Sequence, residues 1–418
     1  MRIVFEPGLP KGRICAPPSK SELHRLLICA GLAGGESQIE NVSAAEDIRA
    51  TLRCLRAFGA SVRSVDGKAR VVGFTDCEHA GAGPYDCGEC GSTLRFFLPL
   101  CAVSEHETLL TGSVRLLQRP LGVYERLFAA QGIPFLRTGR EIRVGGALSP
   151  GRFVFPGDVS SQFVTGLLFA LPLLRGDSEI RLTGRVESRP YIDMTLDALR
   201  LCSVQIERKD ERTLLIPGGR RFTPFSAAAG GDWSNAAFWF AMRALGAELS
   251  VEGPDERSLQ GDRVCETLIG ALAEGRQQID LSDCPDLGPV LMAVAAACRG
   301  AVFTGTRRLR LKESDRGAAM AEELAKLGAC AEVEDNRITV RPAALKKPSE
   351  SLFGHGDHRI VMALSCLLVK TGGALVGAEA AAKSYPDFFD ILLSLGARIS
   401  ILQDAPGGEN VGGTNEAG

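Results

Sequence analysis

Ala16–Glu36 reads APPSKSELHRLLICAGLAGGE, and the fold turns on why this stretch changes character at Ser19. Two prolines keep the chain out of helix up to that point, and the residue before each is pushed to extended geometry. Ser19 then offers an N-cap, with Glu22 three residues later as a capping-box partner. From Leu26 to Ala33 every residue is apolar or glycine, and a helix apolar on all sides must be buried on all sides. Lys20 sits on the opening turn, while Ser21 and Arg25 share a face at i, i+4 spacing. Two cations, a hydroxyl and free backbone N–H groups at a helix start make an anion site, for phosphate or carboxylate. Taken alone, an ordinary capped helix with a solvated Lys and Arg is the simpler reading. Recurrence counts against it.

The same device returns five times. Apolar helices open at Ser19, Gly91 (GSTLRFFLPLCAVSEHE), Ser160 (SSQFVTGLLFALPLLRGD), Asp232 (DWSNAAFWFAMRALGAE), Pro285 (PDLGPVLMAVAAACRG) and Asp357 (DHRIVMALSCLLVKTGG), at intervals of 72, 69, 72, 53 and 72 residues. A second helix follows each, from Asp47, Pro120, Asp193, Asp262, Asp315 and Asp387, and most run through Gly-Ala into a strand-like stretch. Such a period is the mark of a repeated supersecondary unit. Each unit reads βαβαββ, and twelve all-round apolar helices imply helices inside with sheets outside. Six units predict an α/β protein of two domains with three units each, roughly Ser19–Arg221 and Gly230–Leu402. The short interval is an irregularity, assigned to the fifth unit. Residues 403–418, rich in Gly and Asn, read as a disordered tail.

Bulk composition narrows the partners. Of 418 residues, 45% are hydrophobic and 23% charged, with 48 basic against 50 acidic, so nothing global suggests nucleic acid or a membrane surface. The start, MRIVFEPG, reads as lacking a secretory leader, and the longest apolar runs fall short of a membrane span. Thirteen scattered cysteines fit buried thiols in a reducing cytoplasm. Cys87-x-x-Cys90 has no second pair at zinc spacing and reads as structural.

Unusual polar residues collect at the helix openings or just before the second helices: Lys20, Ser21, Arg25; Gly91, Ser92, Arg95; Arg119; Ser160, Ser161, Gln162; Ser188; Asp286; Lys312, Glu313, Arg316; His358, Arg359; and Lys383. Any one of them is as well explained as a cap or surface ion pair. As a set they are not, because cations at helix N-termini oppose the dipole by about 0.3–1 kcal/mol each. An anion at those ends offsets the cost. Two domains facing each other would enclose a crevice binding one or two small molecules rich in phosphate or carboxylate. Asp286 and Glu313 stand among the cations, where a carboxylate can serve as base, or as acid if burial keeps its proton. His358 reads as a satisfied buried histidine in preference to a proton carrier. No nucleotide loop, dinucleotide fingerprint or metal-ligand spacing is present in the sequence, so chemistry without metal or cofactor is the expectation.

The chain resembles the EPSP synthase family, the enolpyruvyl transferases of aromatic amino-acid biosynthesis, from Arg13 to about Leu402. The resemblance is carried by P-x-SKS-x-x-x-R at Pro17–Arg25, GSTLR at Gly91–Arg95, RP at Arg119–Pro120 and SSQF at Ser160–Phe163. It continues in S-x-PYID at Ser188–Asp193, PD at Pro285–Asp286, LKESDR at Leu311–Arg316, DHR at Asp357–Arg359 and KS-x-PDFF at Lys383–Phe389. It implies an inside-out α/β fold with a two-strand hinge, residues 1–18 and 230–418 forming one lobe and 19–229 the other. It implies a cytoplasmic monomer acting on shikimate 3-phosphate and phosphoenolpyruvate. Lys20, Ser21, Arg25, Ser160, Ser161, Gln162, Ser188, Asp286 and Lys312 would hold shikimate 3-phosphate. Lys20, Gly91, Arg119, Gln162, Arg316, Arg359 and Lys383 would hold phosphoenolpyruvate. Asp286 would take the hydroxyl proton and Glu313 protonate the enol methylene, with Lys20 and Lys383 also at the reacting centre.

Some positions depart from the family pattern. Pro18 replaces a frequent Gly, Glu89-Cys90 replaces Asn-Ala or Asn-Ser, and Arg308 stands where an Asn often contacts substrate, so that contact is not carried over. Glu89 is expected to point away from the crevice. Gly91 leaves room for phosphoenolpyruvate or its analogue glyphosate, which is expected to compete with it. One rival reading is the related transferase of a UDP-amino sugar, which usually carries a loop cysteine; Thr111–Leu121 has none. Another is a non-catalytic repeat protein that binds polyanions, for which Asp286 and Glu313 would be dispensable.

Overall fold

The computed structural model describes residues 1–74 and 81–402; the tail expectation for 403–418 lies outside the described residues. Six helices form the centres of the repeats: Lys20–Leu32, Gly91–Cys101, Ser161–Ala170, Trp233–Ala244, Gly288–Ala297 and His358–Thr371. They are covered almost all round, the first without a break from Leu23 to Leu32. Each buried Leu or Ile there contributes about 1.5–3 kcal/mol, which outweighs the indifferent helix propensity of the β-branched residues.

The second helices are different, and correct the expectation that all twelve are buried on every side. Glu46–Phe58 exposes Glu46, Arg49 and Arg53 on one face, while Ile48, Leu52 and Leu55 are buried. Arg189–Leu201 and Arg316–Lys326 likewise leave part of their surface in solvent. Charges spaced three and four apart lie on one stripe, so these helices are amphipathic and close the outside together with the sheets. A short helix at Val114–Gln118 was not anticipated.

Among the described residues, five four-stranded sheets share one pattern, a parallel pair followed by two antiparallel neighbours. Their strands alternate, as in Glu36–Glu40, where Ser37 and Ile39 face the helices and the glutamates face water. The sixth sheet has two strands, Lys11–Cys15 parallel to Glu248–Glu252. This locates the 53-residue interval: the short unit is the one opening at Asp232, the fourth and not the fifth, and among the described residues no hairpin completes its sheet. The sheet around Arg2–Phe5 receives that strand between Gly373–Val376 and Ile399–Leu402, joining the two chain ends.

Two strands are exchanged. Lys11–Cys15 runs into the helix at Lys20 yet pairs with Glu248–Glu252, while Ser226–Ala228 runs into the helix at Trp233 yet pairs with Glu36–Glu40. The chain therefore crosses twice between two apolar cores. One is built from Leu23 to Ala229; the other combines Ile3–Ala16 with Trp233–Ala397. At the crossing the two strands bond to each other, Ser19 N–H to Gly230 O at 2.7 Å and Asp232 N–H to Pro17 O at 2.8 Å. The capping box is consequently half formed. Ser19 Oγ accepts from Glu22 N–H at 3.4 Å, but the Glu22 carboxylate accepts from Gly230 N–H at 2.9 Å instead of returning to Ser19. Asp232 caps its own helix through Ser234 and Asn235 and also accepts from Lys20 N–H at 3.3 Å. One aspartate thus ties the first helix of each half to the crossing and brings their N-termini together.

Candidate active site

Between the halves lies a cavity of about 60 Å³ lined from both sides. From the first half come Lys20, Ser21, Arg25, Gly91, Ser92, Arg119, Ser160, Ser161, Gln162 and Ser188; from the second, Asp286, Lys312, Glu313, Arg316 and His358. Most of these residues lie at helix starts, where small polar residues and prolines interrupt the apolar runs, while Arg119 and Lys312 follow the ends of short helical turns. Ser160 caps the helix of Ser161 and Gln162, accepting from Gln162 N–H at 3.4 Å. Asp286 lies in a single 3-10 turn, Pro285–Leu287, ahead of Gly288. Gly91 opens its helix flush against Arg119: a Cβ at that position would stand 2.8 Å from the guanidinium carbon. Ser188 holds a left-handed φ of 52°, its N–H donating across the gap to Ser282 O at 3.0 Å.

The cations are paired with carboxylates. Arg316, almost fully buried, reaches three at once: Asp286 at 2.7 Å, Glu313 at 2.7 Å and Asp357 at 2.8 Å. Lys312 adds a second contact to Asp286 at 2.8 Å, and Arg119 approaches Glu313 from the opposite half at 3.5 Å. Burial alone would raise both acids, but the neighbouring cations outweigh it. Lys312, Arg316 and Arg359 hold the Asp286 carboxyl well below the usual carboxylate range, and Arg316 and Arg119 do so for Glu313. The same acids explain why Arg316 stays charged against its burial, which Asp357, Glu313 and Asp286 overcome. Lys20 is buried too, but Asp47 at 2.7 Å more than compensates and raises its ammonium.

Several side chains are positioned by others. Arg25 donates to Thr195 Oγ1 at 2.9 Å and Tyr191 O at 2.8 Å, fixing the helix that carries Ser188 to the helix that carries Lys20; burial brings its pKa down to about 10. Arg95 is buried behind the cavity, not on it. It donates to Gln162 Oε1 at 2.6 Å, and Gln162 in turn donates to Ser92 Oγ at 2.8 Å. Arg308, left without a contact on sequence grounds, lines the cavity and donates to Ser188 Oγ at 2.7 Å. Asp47, Phe96 and Tyr191 also line it and were missed. Asp47 read only as the opening of a second helix, and its partner Lys20 lies 27 residues away.

One expectation needs correcting, and three further residues lie off the cavity wall. His358 is not a satisfied histidine: it is buried on the cavity wall, neither ring nitrogen has a hydrogen-bond partner although Nδ1 lies 3.8 Å from Asp357 Oδ1, and burial together with Lys20 holds the ring neutral. Glu89 is not part of the cavity wall; it pairs with Lys383, whose ammonium also donates to Gly356 O at 2.8 Å. Lys383 therefore stands in a neighbouring pocket with Asp47, Gly88 and Arg115, outside the cavity wall. Arg359 is also behind the wall, its guanidinium 3.5 Å from Asn235 Oδ1 and over the Phe238 ring, with Nε unpartnered.

Among the described residues, no helix is long and apolar enough to cross a membrane. Residues 7–392 match the family described as EPSP synthase (3-phosphoshikimate 1-carboxyvinyltransferase). The chain is 39% identical to the 3-phosphoshikimate 1-carboxyvinyltransferase of Clostridium kluyveri, over 95% of this chain and 98% of that protein. It is 36% identical to the one from Clostridium perfringens, over 94% and 98%. The fold matches the solved EPSP synthase of Acinetobacter baumannii with a TM-score of 0.77 at 21% identity, covering 96% of this chain and 100% of that one. With a matched family spanning nearly its full length and relatives this similar, the chain belongs to the EPSP synthase family of enolpyruvyl transferases.

Proposed function

We propose that this protein transfers the enolpyruvyl group of phosphoenolpyruvate to the 5-hydroxyl of shikimate 3-phosphate and releases inorganic phosphate. The observation that carries the reading is one cavity in which helix N-termini and basic side chains from both halves surround two carboxylates, Asp286 and Glu313. In this mechanism Glu313 delivers a proton to the enol methylene, leaving the central carbon oxocarbenium-like. Asp286 takes the hydroxyl proton, and the oxygen bonds to that carbon to give a tetrahedral ketal phosphate. Loss of a proton from the new methyl group then restores the double bond as the carbon–phosphate oxygen bond breaks.

Lys20, Ser21, Arg25, Ser160, Ser161, Gln162, Ser188 and Lys312 take the shikimate 3-phosphate side. Lys20, Gly91, Arg119, Gln162, Arg316, Arg359 and Lys383 take phosphoenolpyruvate. Substrate anions replace the carboxylates that now hold these cations, and lobes 19–229 and 1–18 with 230–418 open and close about the crossing strands to admit them. Fixed cations in a closed site stabilise the anionic transition state without reorganising. The protein works as a monomer in the cytoplasm. Phosphate release on mixing the two substrates tests the assignment; release with UDP-N-acetylglucosamine in place of shikimate 3-phosphate would overturn it.

Two predictions concern phosphoenolpyruvate alone. Gly91→Ala drives a methyl group into the Arg119 guanidinium, so the KM for phosphoenolpyruvate rises at least about tenfold, the value of a charge-assisted hydrogen bond. Glyphosate competes with phosphoenolpyruvate in the parent enzyme, and the same substitution weakens it; steady-state inhibition patterns check both. Glu89→Gln acts in the opposite direction. Glu89 competes for Lys383, and the pair is partly exposed, so its removal lowers the KM for phosphoenolpyruvate by about two- to fivefold. An unchanged or higher KM rejects that competition.

A further inference from the structure

Behind Lys20 lies a group the transfer chemistry does not use. His24, Asp47 and Cys90 are all buried, and one ligand atom from each lies within 4.8 Å of the other two. We propose that these three side chains form a binding site for a soft divalent cation, zinc above all, and that its occupation inhibits the enzyme by taking Asp47 away from Lys20. The inhibitory half rests on the function proposed above; the binding half does not.

The geometry is close to that of zinc. A tetrahedral ion with bonds of about 2.0 Å to nitrogen and 2.3 Å to sulfur holds those two atoms about 3.5 Å apart. His24 Nε2 and Cys90 Sγ are 3.7 Å apart. The other ring nitrogen is fixed as a metal-bound imidazole requires: His24 Nδ1 lies 2.8 Å from Thr51 Oγ1, and Thr51 is 2.7 Å from Thr93 Oγ1. With Nδ1–H donating to Thr51, Nε2 keeps its lone pair for a ligand. Cys90 Sγ already serves as an acceptor, taking Thr93 N–H at 3.3 Å. A cation is held here as the chain stands, the Lys20 ammonium, 2.7 Å from Asp47 Oδ2. Thiolate, imidazole and carboxylate together bind zinc far better than an ammonium does.

Asp47 and Lys20 line the central cavity, which gives an ion its way in. On binding, the Cys90 S–H proton is released to solvent, the thiolate, Nε2 and the Asp47 carboxylate bond to zinc, and the fourth position faces the cavity. Lys20 loses its partner and is repelled by the dication. Coordination of this kind needs no redox partner.

Cobalt(II) titration of the purified full chain tests binding without reference to activity. One equivalent should give the near-ultraviolet thiolate-to-cobalt absorption, and Cys90→Ser should abolish it, since serine keeps the helix cap and loses the soft ligand. Zinc should inhibit phosphate release by the parent, with the half-inhibiting concentration raised at least about tenfold in Cys90→Ser and in His24→Gln. Absorption that survives in Cys90→Ser, or that disappears in Cys15→Ser/Cys330→Ser, where the lost thiols are exposed, overturns the site. Binding without inhibition overturns its effect on Lys20. If phosphate release fails in every variant, the cobalt titration still decides the site.

Discussion

Asp286→Asn lowers kcat by about 10²- to 10⁴-fold, the usual worth of a positioned general base, and leaves binding of shikimate 3-phosphate within a few-fold of the parent. The asparagine keeps the shape and one acceptor for Lys312 and Arg316, which contact a single oxygen of Asp286. It removes the capacity to take a proton. With those contacts in place Asp286 is a poor base, because the two cations and Arg359 keep its carboxyl well below the ordinary value despite burial. When the substrate phosphate and carboxylate draw Lys312 and Arg316 away, the carboxyl rises toward its ordinary range and becomes able to accept. The same shift has a sign for stability. A carboxyl whose folded pKa is depressed stabilises the fold above its unfolded pKa and loses that contribution as pH falls through the folded value. Thermal stability of the parent should therefore fall on acidification below about pH 4, and Asp286→Asn should flatten part of that slope. An asparagine variant with parental kcat removes Asp286 from the mechanism.

The helix starts were legible because their causes are local. Ser160 caps its helix two residues away, and Pro17 and Pro18 end the extended segment beside Ser19. Repetition did the rest, since five of the six similar openings converge on a single gap where any one of them would have passed for a cap. What stayed hidden depends on partners distant in sequence. The exchange pairs Ser226–Ala228 with a strand 188 residues upstream and Lys11–Cys15 with one 237 residues downstream, and no local pattern specifies either pairing. The 53-residue interval was visible as a number, but its meaning, a sheet of two strands, required the pairing. Arg308 could not be placed because Ser188 lies 120 residues upstream. His358 was misread for a related reason: a histidine in an apolar context is usually satisfied, and only the packing reveals that neither nitrogen is. Glu89 found Lys383 across the gap between the halves, where the residues on either side of it in the chain gave no hint.

Glu313→Gln lowers turnover by a comparable factor, about 10²- to 10⁴-fold, but its signature is different. Protonating the methylene makes a methyl group whose three hydrogens are equivalent, so reversal returns a different hydrogen and exchanges the methylene positions of phosphoenolpyruvate with solvent. With the parent enzyme in deuterated water, recovered phosphoenolpyruvate should carry deuterium; with Glu313→Gln that exchange should fall in proportion to phosphate release. Glu313 is held ionised by Arg316 at 2.7 Å and Arg119 at 3.5 Å, and an ionised carboxylate cannot donate. Both arginines are the ones assigned to phosphoenolpyruvate. As its phosphate and carboxylate recruit them, the Glu313 carboxylate loses its counter-charges inside a buried site, and desolvation then favours the protonated form. On the proposed assignment the substrate in this way arms the acid that protonates it. A consequence follows for pH: kcat falls as pH rises through the pKa of substrate-bound Glu313, and that limb is absent from the residual activity of Glu313→Gln. Retention of the limb, or of full deuterium exchange, in the glutamine variant assigns the proton to another group, and the unpartnered His358 on the same wall is the one to replace next.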